Sequence, residues 1–324
     1  MTVWIFRRLI QAVFVMLAMT VIVFVGVNVI GDPVEILISP DADQAERIRA
    51  IAALGLDKPL WEQYLRFLWG AVRGDLGRSF VFNEPALQLI SQRMPATLEL
   101  AVTAVLLAVV LGIPLGLLAG LYPHSLFGRL AMAGSILGFS LPSFWVGLMF
   151  IMIFAVQLGW LPSTGRGATV TVFGIPWSFL TRDGLAHMAM PAFNLALGNI
   201  ALVLRLTRSG VRENMPMDYV RFARAKGLSP QRVVFVHVLK NIMIPVVTVL
   251  GLQFGSTVAF AVVTESVFAW PGMGKLIIDS INVLDRPVIV AYLMMIVLMF
   301  VTINLIVDLL YTVLDPRVRI GGAE

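Results

Sequence analysis

Cysteine is absent from the 324 residues. That excludes disulfides, thiolate nucleophiles, cysteine-ligated zinc and iron–sulfur clusters together. Charge is also scarce. Asp, Glu, Lys and Arg make up 13% of the chain against 59% hydrophobic residues, where soluble domains keep about 25% charged and about 45–50% apolar. The three histidines, His124, His187 and His237, lie far apart in sequence. They lack the spacing of an HExxH or paired-ligand motif, so each reads as an interfacial or loop residue rather than a metal ligand. No Gly-x-Ser-x-Gly elbow is present, which argues against an intramembrane protease. Gly274-Lys275 superficially suggests a phosphate-binding loop. Ala269 and Leu276 stand where that motif needs Gly and Ser or Thr, so the chain is not expected to bind ATP or any other cofactor itself.

What remains is apolar sequence, with a mean hydropathy of +0.90, more than one water-soluble core can hide. A membrane helix needs about 20 largely apolar residues. Six stretches qualify: Leu9–Ile30, Leu98–Leu121, Leu130–Leu158, Met188–Leu206, Ile242–Val263 and Val288–Val313. The fourth is the least apolar, because of Pro191, Asn194 and Asn199. Arg7-Arg8 ahead of the first stretch reads as an uncleaved signal anchor, since no small-x-small cleavage site follows. Lys and Arg concentrate at Arg7-Arg8, between Arg205 and Lys240, and at Arg317/Arg319. With six spans these regions share one side, so both termini and the long basic loop are cytoplasmic. The same asymmetry accounts for the net charge of +5. There is no basic tail and no aromatic–basic interleaving to suggest nucleic acid.

The sequence divides into residues 1–30 (cytoplasmic N-terminus and first span), an external segment 31–95, and a five-span core 96–324. The core carries the cytoplasmic loop 209–240. The external segment Gly31–Pro95 holds seven Lys/Arg and nine Asp/Glu. A helix is expected from Asp41 to Leu54, stopped by Gly55. A second, from Pro59 to Val72, places Trp61, Leu65, Leu68 and Trp69 on one side. It either lies in the membrane interface or forms a small cap packed on the spans.

Gly112, Gly116 and Gly120 recur every four residues, as do Gly134 and Gly138, and Gly251 and Gly255. Small residues at this spacing let helices approach closely in lipid, as packing within the chain or as a seam between subunits. Glu99, Arg205, Glu265 and Asp308 fall near span ends and no ionisable residue falls at a clear midplane. A secondary transporter, the alternative from another class, would place such groups there. The energy for transport is therefore expected from elsewhere.

The cytoplasmic loop has its own structure. Asp218 is positioned to cap a short helix from Tyr219 to Lys226, and Gly227 suits the left-handed residue that ends one. Ser229-Pro230 supply an N-cap and first-turn proline for the next helix. The result is a helical corner projecting from the membrane.

The string Tyr219-Val220-Arg221-Phe222-Ala223-Arg224-Ala225-Lys226-Gly227, followed after nine residues by His237-Val238-Leu239, resembles the EAA loop of ABC importer permeases in its peptide-permease form. His237–Lys240 stand in place of the broader family's Ile-x-Leu-Pro. Further blocks agree in order: Gly31-Asp32-Pro33, Gly55–Leu60, Gly74–Gly77, Leu158–Pro162, Asn241–Pro245, Glu265–Gly274, Asp308–Tyr311 and Asp315–Arg317. The pattern is similar to the first permease of dipeptide and oligopeptide importers.

The resemblance implies an all-α integral membrane protein of the bacterial inner membrane, with six transmembrane helices and a type I ABC importer-like permease fold. It implies that Tyr219, Arg221, Ala223, Arg224, Lys226, Gly227 and His237 belong to a coupling helix seated in an ATPase subunit, with Ala223 and Gly227 allowing close approach. Glu265, Phe268, Trp270, Pro271, Gly272 and Gly274 would form an external re-entrant turn. There Trp270 either meets a docking binding protein or anchors in the interface. The implied partners are a second homologous permease, two cytoplasmic ATPase subunits that hold the ATP and Mg, a periplasmic or lipid-anchored substrate-binding protein, and membrane lipid. The cargo implied is peptide; nickel chelates, glutathione, and opine or sugar conjugates remain open.

Overall fold

The computed structural model describes residues 2–29, 44, 48, 51–52 and 57–314. Long apolar runs satisfy their backbone groups internally by forming helices. In chain order these are α1 (Thr2–Val29), α2 (Leu60–Arg73), α3 (Ala86–Leu121), α4 (Leu126–Ser140), α5 (Ser143–Gln157), α6 (Arg182–Asn214), α7 (Asp218–Ala225), α8 (Pro230–Val267), α9 (Met273–Asn282) and α10 (Arg286–Leu314). A small antiparallel hairpin, β1 (Val170–Val172) with β2 (Ile175–Trp177), precedes α6. Helices α1, α3, α6, α8 and α10 are long and apolar enough to cross a membrane, and the bent pair α4 and α5 brings the number to six when counted as one span. Of the helix expected over Asp41–Leu54, only positions 44, 48, 51 and 52 are described, all helical. Gly31–Pro33 and the tail from Asp315 lie outside the described residues.

The third span corrects the sequence reading. Instead of one helix over Leu130–Leu158, α4 and α5 meet at 107°. The break sits at Leu141-Pro142. Proline drives the residue before it out of the helical region, and Leu141 is extended at φ −81°, ψ 137°. Pro142 then opens α5, where its missing N–H leaves no intrahelical bond unmade. Over Ile151–Gln157 α5 widens into π-type turns.

The chain forms two compact units, Met1–Pro95 with Gly272–Thr302, and Ala96–Pro271 with Ile303–Glu324. In the first, α2 packs on α1. Thr20 Oγ1 and Tyr64 OH share a hydrogen bond of 2.8 Å, and Phe24 meets Tyr64 edge-on and Phe67 stacked. Val23, Val290 and Met294 form a core with Phe67 and Leu76. Asp285 is buried and accepts from Ser79 Oγ and Phe80 N. On another face of α2, Trp61, Leu65, Trp69 and Val72 are exposed, with Glu62 and Arg66 beside them. The hydrogen bond from Lys58 to Glu62, helped by Arg66, holds that carboxyl below the usual carboxylate range. The exposed apolar stripe beside a charged edge fits a helix lying in the interface, and the opposite edge, fixed to α1, fits a cap packed on the spans, so α2 has a face for each expected arrangement.

In the second unit the glycines of α3 face α6. A Cβ on Gly112 would lie 2.8 Å from Val203, one on Gly116 2.5 Å from the Leu204 carbonyl oxygen, and one on Gly120 2.7 Å from Val211. Gly251 of α8 meets Val307 of α10 in the same way, at 2.6 Å, and Gly255 is buried. Gly134 faces open space, and Gly138 has a single neighbour at 4.0 Å. Helix α6 is the most enclosed of the spans, which explains how it tolerates its polar residues. Asn194 and Asn199 donate across to Thr264 and Thr257 of α8 at 3.2 and 2.9 Å.

Candidate functional site

The corner between α6 and α8 is built by local sequence. Helix α7 ends in a Schellman arrangement: Leu228 N donates to Ala223 O, Gly227 N donates to Arg224 O, and Gly227 takes φ +77°. Ser229 Oγ then accepts from Arg232 N, and Pro230 occupies the first turn of α8. One expectation is corrected at the other end. Met217 is the residue preceding α7 and no side chain caps it. Asp218 is already helical, its exposed carboxylate 3.5 Å from Arg221.

The corner has two faces. Val220, Ala223, Val233, Val234 and Val238 are buried in one core with Val203, Val211, Ile242 and Val246 of the spans. Ala223 is thus turned inward, because on α7 it shares a face with Val220. The expectation that it admits an outside partner is corrected accordingly. The outward face carries Tyr219, Arg221, Arg224, Lys226 and Gly227, all exposed, with His237 half-buried. Tyr219 OH donates to Asn214 Oδ1 at 2.6 Å. The sequence reading passed over Met217, Phe222, Phe235 and Val236, large apolar residues exposed on this corner. Lys226 Nζ lies 4.5 Å from the Phe222 ring centre, and their four-residue helical spacing is the signal that could have marked the pair.

At the opposite end of α8 from the corner, the turn that follows the helix is enclosed. Trp270 and Phe268 are 0% and 1% exposed. Trp270 packs with Ala96, Leu100, Met188 and Ala192 and donates Nε1–H to Ala96 O at 2.9 Å. Phe268 O accepts from Gly165 N, Glu265 is fully buried and accepts from Thr97 at 2.7 Å, and Ala269 takes φ +47°. Pro271 is half-buried, and Gly272 and Gly274 are buried. A side chain so covered neither docks a binding protein nor anchors in the interface, which corrects both readings of Trp270. The motif fixed the backbone turn, while the direction of its indole is set by α3 and α6.

Beside this turn lies a pair that sequence reasoning did not find. Arg166 binds Glu99 through both Nε and NH2, at 3.2 and 2.6 Å, and also donates to Ser178 Oγ and Pro176 O. Glu99 accepts from the backbone of Ser178 and Phe179 as well, at 2.6 and 3.0 Å. The side chains are 11% and 1% exposed. The loop bearing the β1–β2 hairpin is thereby pinned to α3.

The chain thus combines helices long and apolar enough to cross a membrane with a helical corner rooted in their core. Residues 112–320 match the family described as the binding-protein-dependent transport system inner membrane component, and residues 1–101 match its N-terminal companion. The chain belongs to this family. It is 39% identical over 335 residues to the dipeptide transport system permease protein DppB of Escherichia coli (strain K12), covering 98% of both chains. It is 40% identical over 327 residues to the di/tripeptide transport system permease protein DppB of Pseudomonas aeruginosa (strain UCBPP-PA14), covering 97% of both. It is 37% identical over 318 residues to the glutathione transport system permease protein GsiC of Escherichia coli (strain K12), covering 98% of both. In fold it is similar to a chain of the MetNI methionine ABC transporter in inward-facing conformations. That match has a TM-score of 0.54 at 17% identity and covers 72% of this chain and 99% of that one. The expected all-α, type I ABC importer-like permease fold holds. The chain is an inner-membrane permease subunit that works within a complex of transporter subunits.

Proposed function

We propose that this chain, with a second homologous permease, encloses the translocation path for peptides or peptide-like solutes in an ATP-driven importer. Two cytoplasmic ATPase subunits bind the ATP and Mg, and a periplasmic or lipid-anchored binding protein delivers the cargo. The observation that carries this reading is the two-faced corner. Its inner face is rooted in the span core through Val220, Ala223 and Val238, so a push on α7 moves the spans rather than bending a loop. Its outer face offers the fork-shaped donors of Arg221 and Arg224, the Lys226 ammonium and the apolar Phe222 and Phe235, suited to an acidic-rimmed apolar cleft. Gly227 has nothing within 4 Å of an added Cβ, leaving room for a partner's backbone. Dipeptide, di/tripeptide and glutathione are named in the three relatives, which points to cargo with a peptide bond and charged ends.

The test is uptake of a labelled dipeptide into cells whose own importer permease is deleted. The wild-type chain with its partners restores uptake. Gly227→Asp inserts normally and does not restore it. Normal uptake by that variant would sink the assignment of the coupling corner.

A further inference from the structure

Toward its cytoplasmic end α6 carries Arg205, Arg208 and Arg212 at spacings of three and four residues, which puts them on one face. With Ser209, Glu213 and Met132 of α4 they line an open recess of about 470 Å³. Its charge is unbalanced. Glu213, the one carboxylate among the lining residues, accepts from Ser209 Oγ at 2.8 Å. Among the described residues no ion pair joins any of the three arginines to a carboxylate. Arg208 Nε is buried without a hydrogen-bond partner, and the Arg205 guanidinium lies 4.9 Å from the Phe139 ring centre on α4.

A buried guanidinium N–H without an acceptor is unfavourable and rare, so the recess suits a ligand rich in acceptors. Converging guanidinium forks match the oxygens of a phosphate. The surroundings choose its source. Ile136 and Phe139, which share the Met132 side of α4, are exposed large hydrophobics. Basic recesses between spans on the cytoplasmic side suit anionic headgroups, whose chains then lie against such a face. We propose that Arg205, Arg208 and Arg212 hold the phosphate of an anionic phospholipid of the cytoplasmic leaflet, with its acyl chains along α4.

The test places the full chain, with the subunits that co-purify with it, in nanodiscs of three kinds: phosphatidylcholine alone, phosphatidylcholine with a minority of phosphatidylglycerol, and phosphatidylcholine with millimolar inorganic phosphate. Thermal midpoint and lipid retained in native mass spectrometry are read. Phosphatidylglycerol raises the midpoint and is retained, and inorganic phosphate does neither. Losing one charge-assisted contact in Arg208→Gln or Arg212→Gln weakens retention about tenfold, while Arg212→Lys keeps most of it. The proposal is overturned if phosphatidylglycerol and phosphatidylcholine behave alike, or if inorganic phosphate reproduces the whole effect. It is also overturned if both Gln variants retain the lipid as wild type does. Should Arg208→Gln not fold, the exposed Arg212 variants and the three wild-type discs decide.

Discussion

The guanidinium of Arg166 and the carboxylate of Glu99 lie 2.6 Å apart, although the residues are 67 positions apart in sequence. Removing one partner of so enclosed a pair leaves the other charge buried and unpaired, which destabilises by about 3–5 kcal/mol. Arg166→Met is therefore expected to lower the thermal midpoint sharply in detergent. The double variant Glu99→Gln/Arg166→Met is expected to regain part of the loss. A double variant no better than the single one would show that the pair does not act as a unit.

Of the three α3 glycines that face α6, Gly116 leaves the least room for a Cβ. Gly116→Ala places a Cβ against the Leu204 carbonyl and Thr207, and overpacking of this kind costs about 1–3 kcal/mol. Gly134→Ala, into open space, is expected within about 0.5 kcal/mol of wild type. Midpoints of the two variants measured side by side check the contrast. Equal loss in both would mean the close approach is not what the glycine serves.

Trp270→Phe keeps most of the ring and removes the donor to Ala96 O. The expected loss is about 0.5–1.5 kcal/mol, the net worth of one hydrogen bond, because Ala96 O lies inside α3 and keeps its helical partner. Trp270→Ala is expected to lose about 3–5 kcal/mol. Binding-protein affinity for folded Trp270→Phe, read by surface plasmon resonance, is expected to stay at the wild-type value because the indole is covered. A selective loss of that affinity would return the residue to the docking surface.

Phe222→Ala removes an exposed ring and Lys226's aromatic neighbour while leaving the buried Val220 and Ala223 in place. Midpoint is expected to stay within about 0.5 kcal/mol of wild type. Co-purification with ATPase subunits is expected to drop about tenfold, as for a central aromatic anchor at an interface. Undiminished co-purification would remove Phe222 from the contact.

The spans were legible because apolar length alone identifies a membrane helix, and the corner because Gly227 and Ser229-Pro230 write their backbone roles into the chain. The break in the third span was not, although Pro142 stands in plain view. Pro191 and Pro245 sit inside α6 and α8 without such a break, so proline alone does not decide. Turn motifs likewise set backbone shape but not which neighbour covers a side chain, hence the inward Ala223 and Trp270. Glu99 and Arg166 meet only once α3 and the hairpin loop are in place, and no local spacing announces it.

The most direct test measures ATPase activity in nanodiscs holding this chain, the second permease, the two ATPase subunits and the binding protein, omitting each in turn. If the chain is the importer's permease, stimulation by binding protein plus peptide is lost when this chain is omitted, and lost again with Gly227→Asp. Stimulation that persists without the chain, or solute movement through the chain alone without any ATPase, would contradict it.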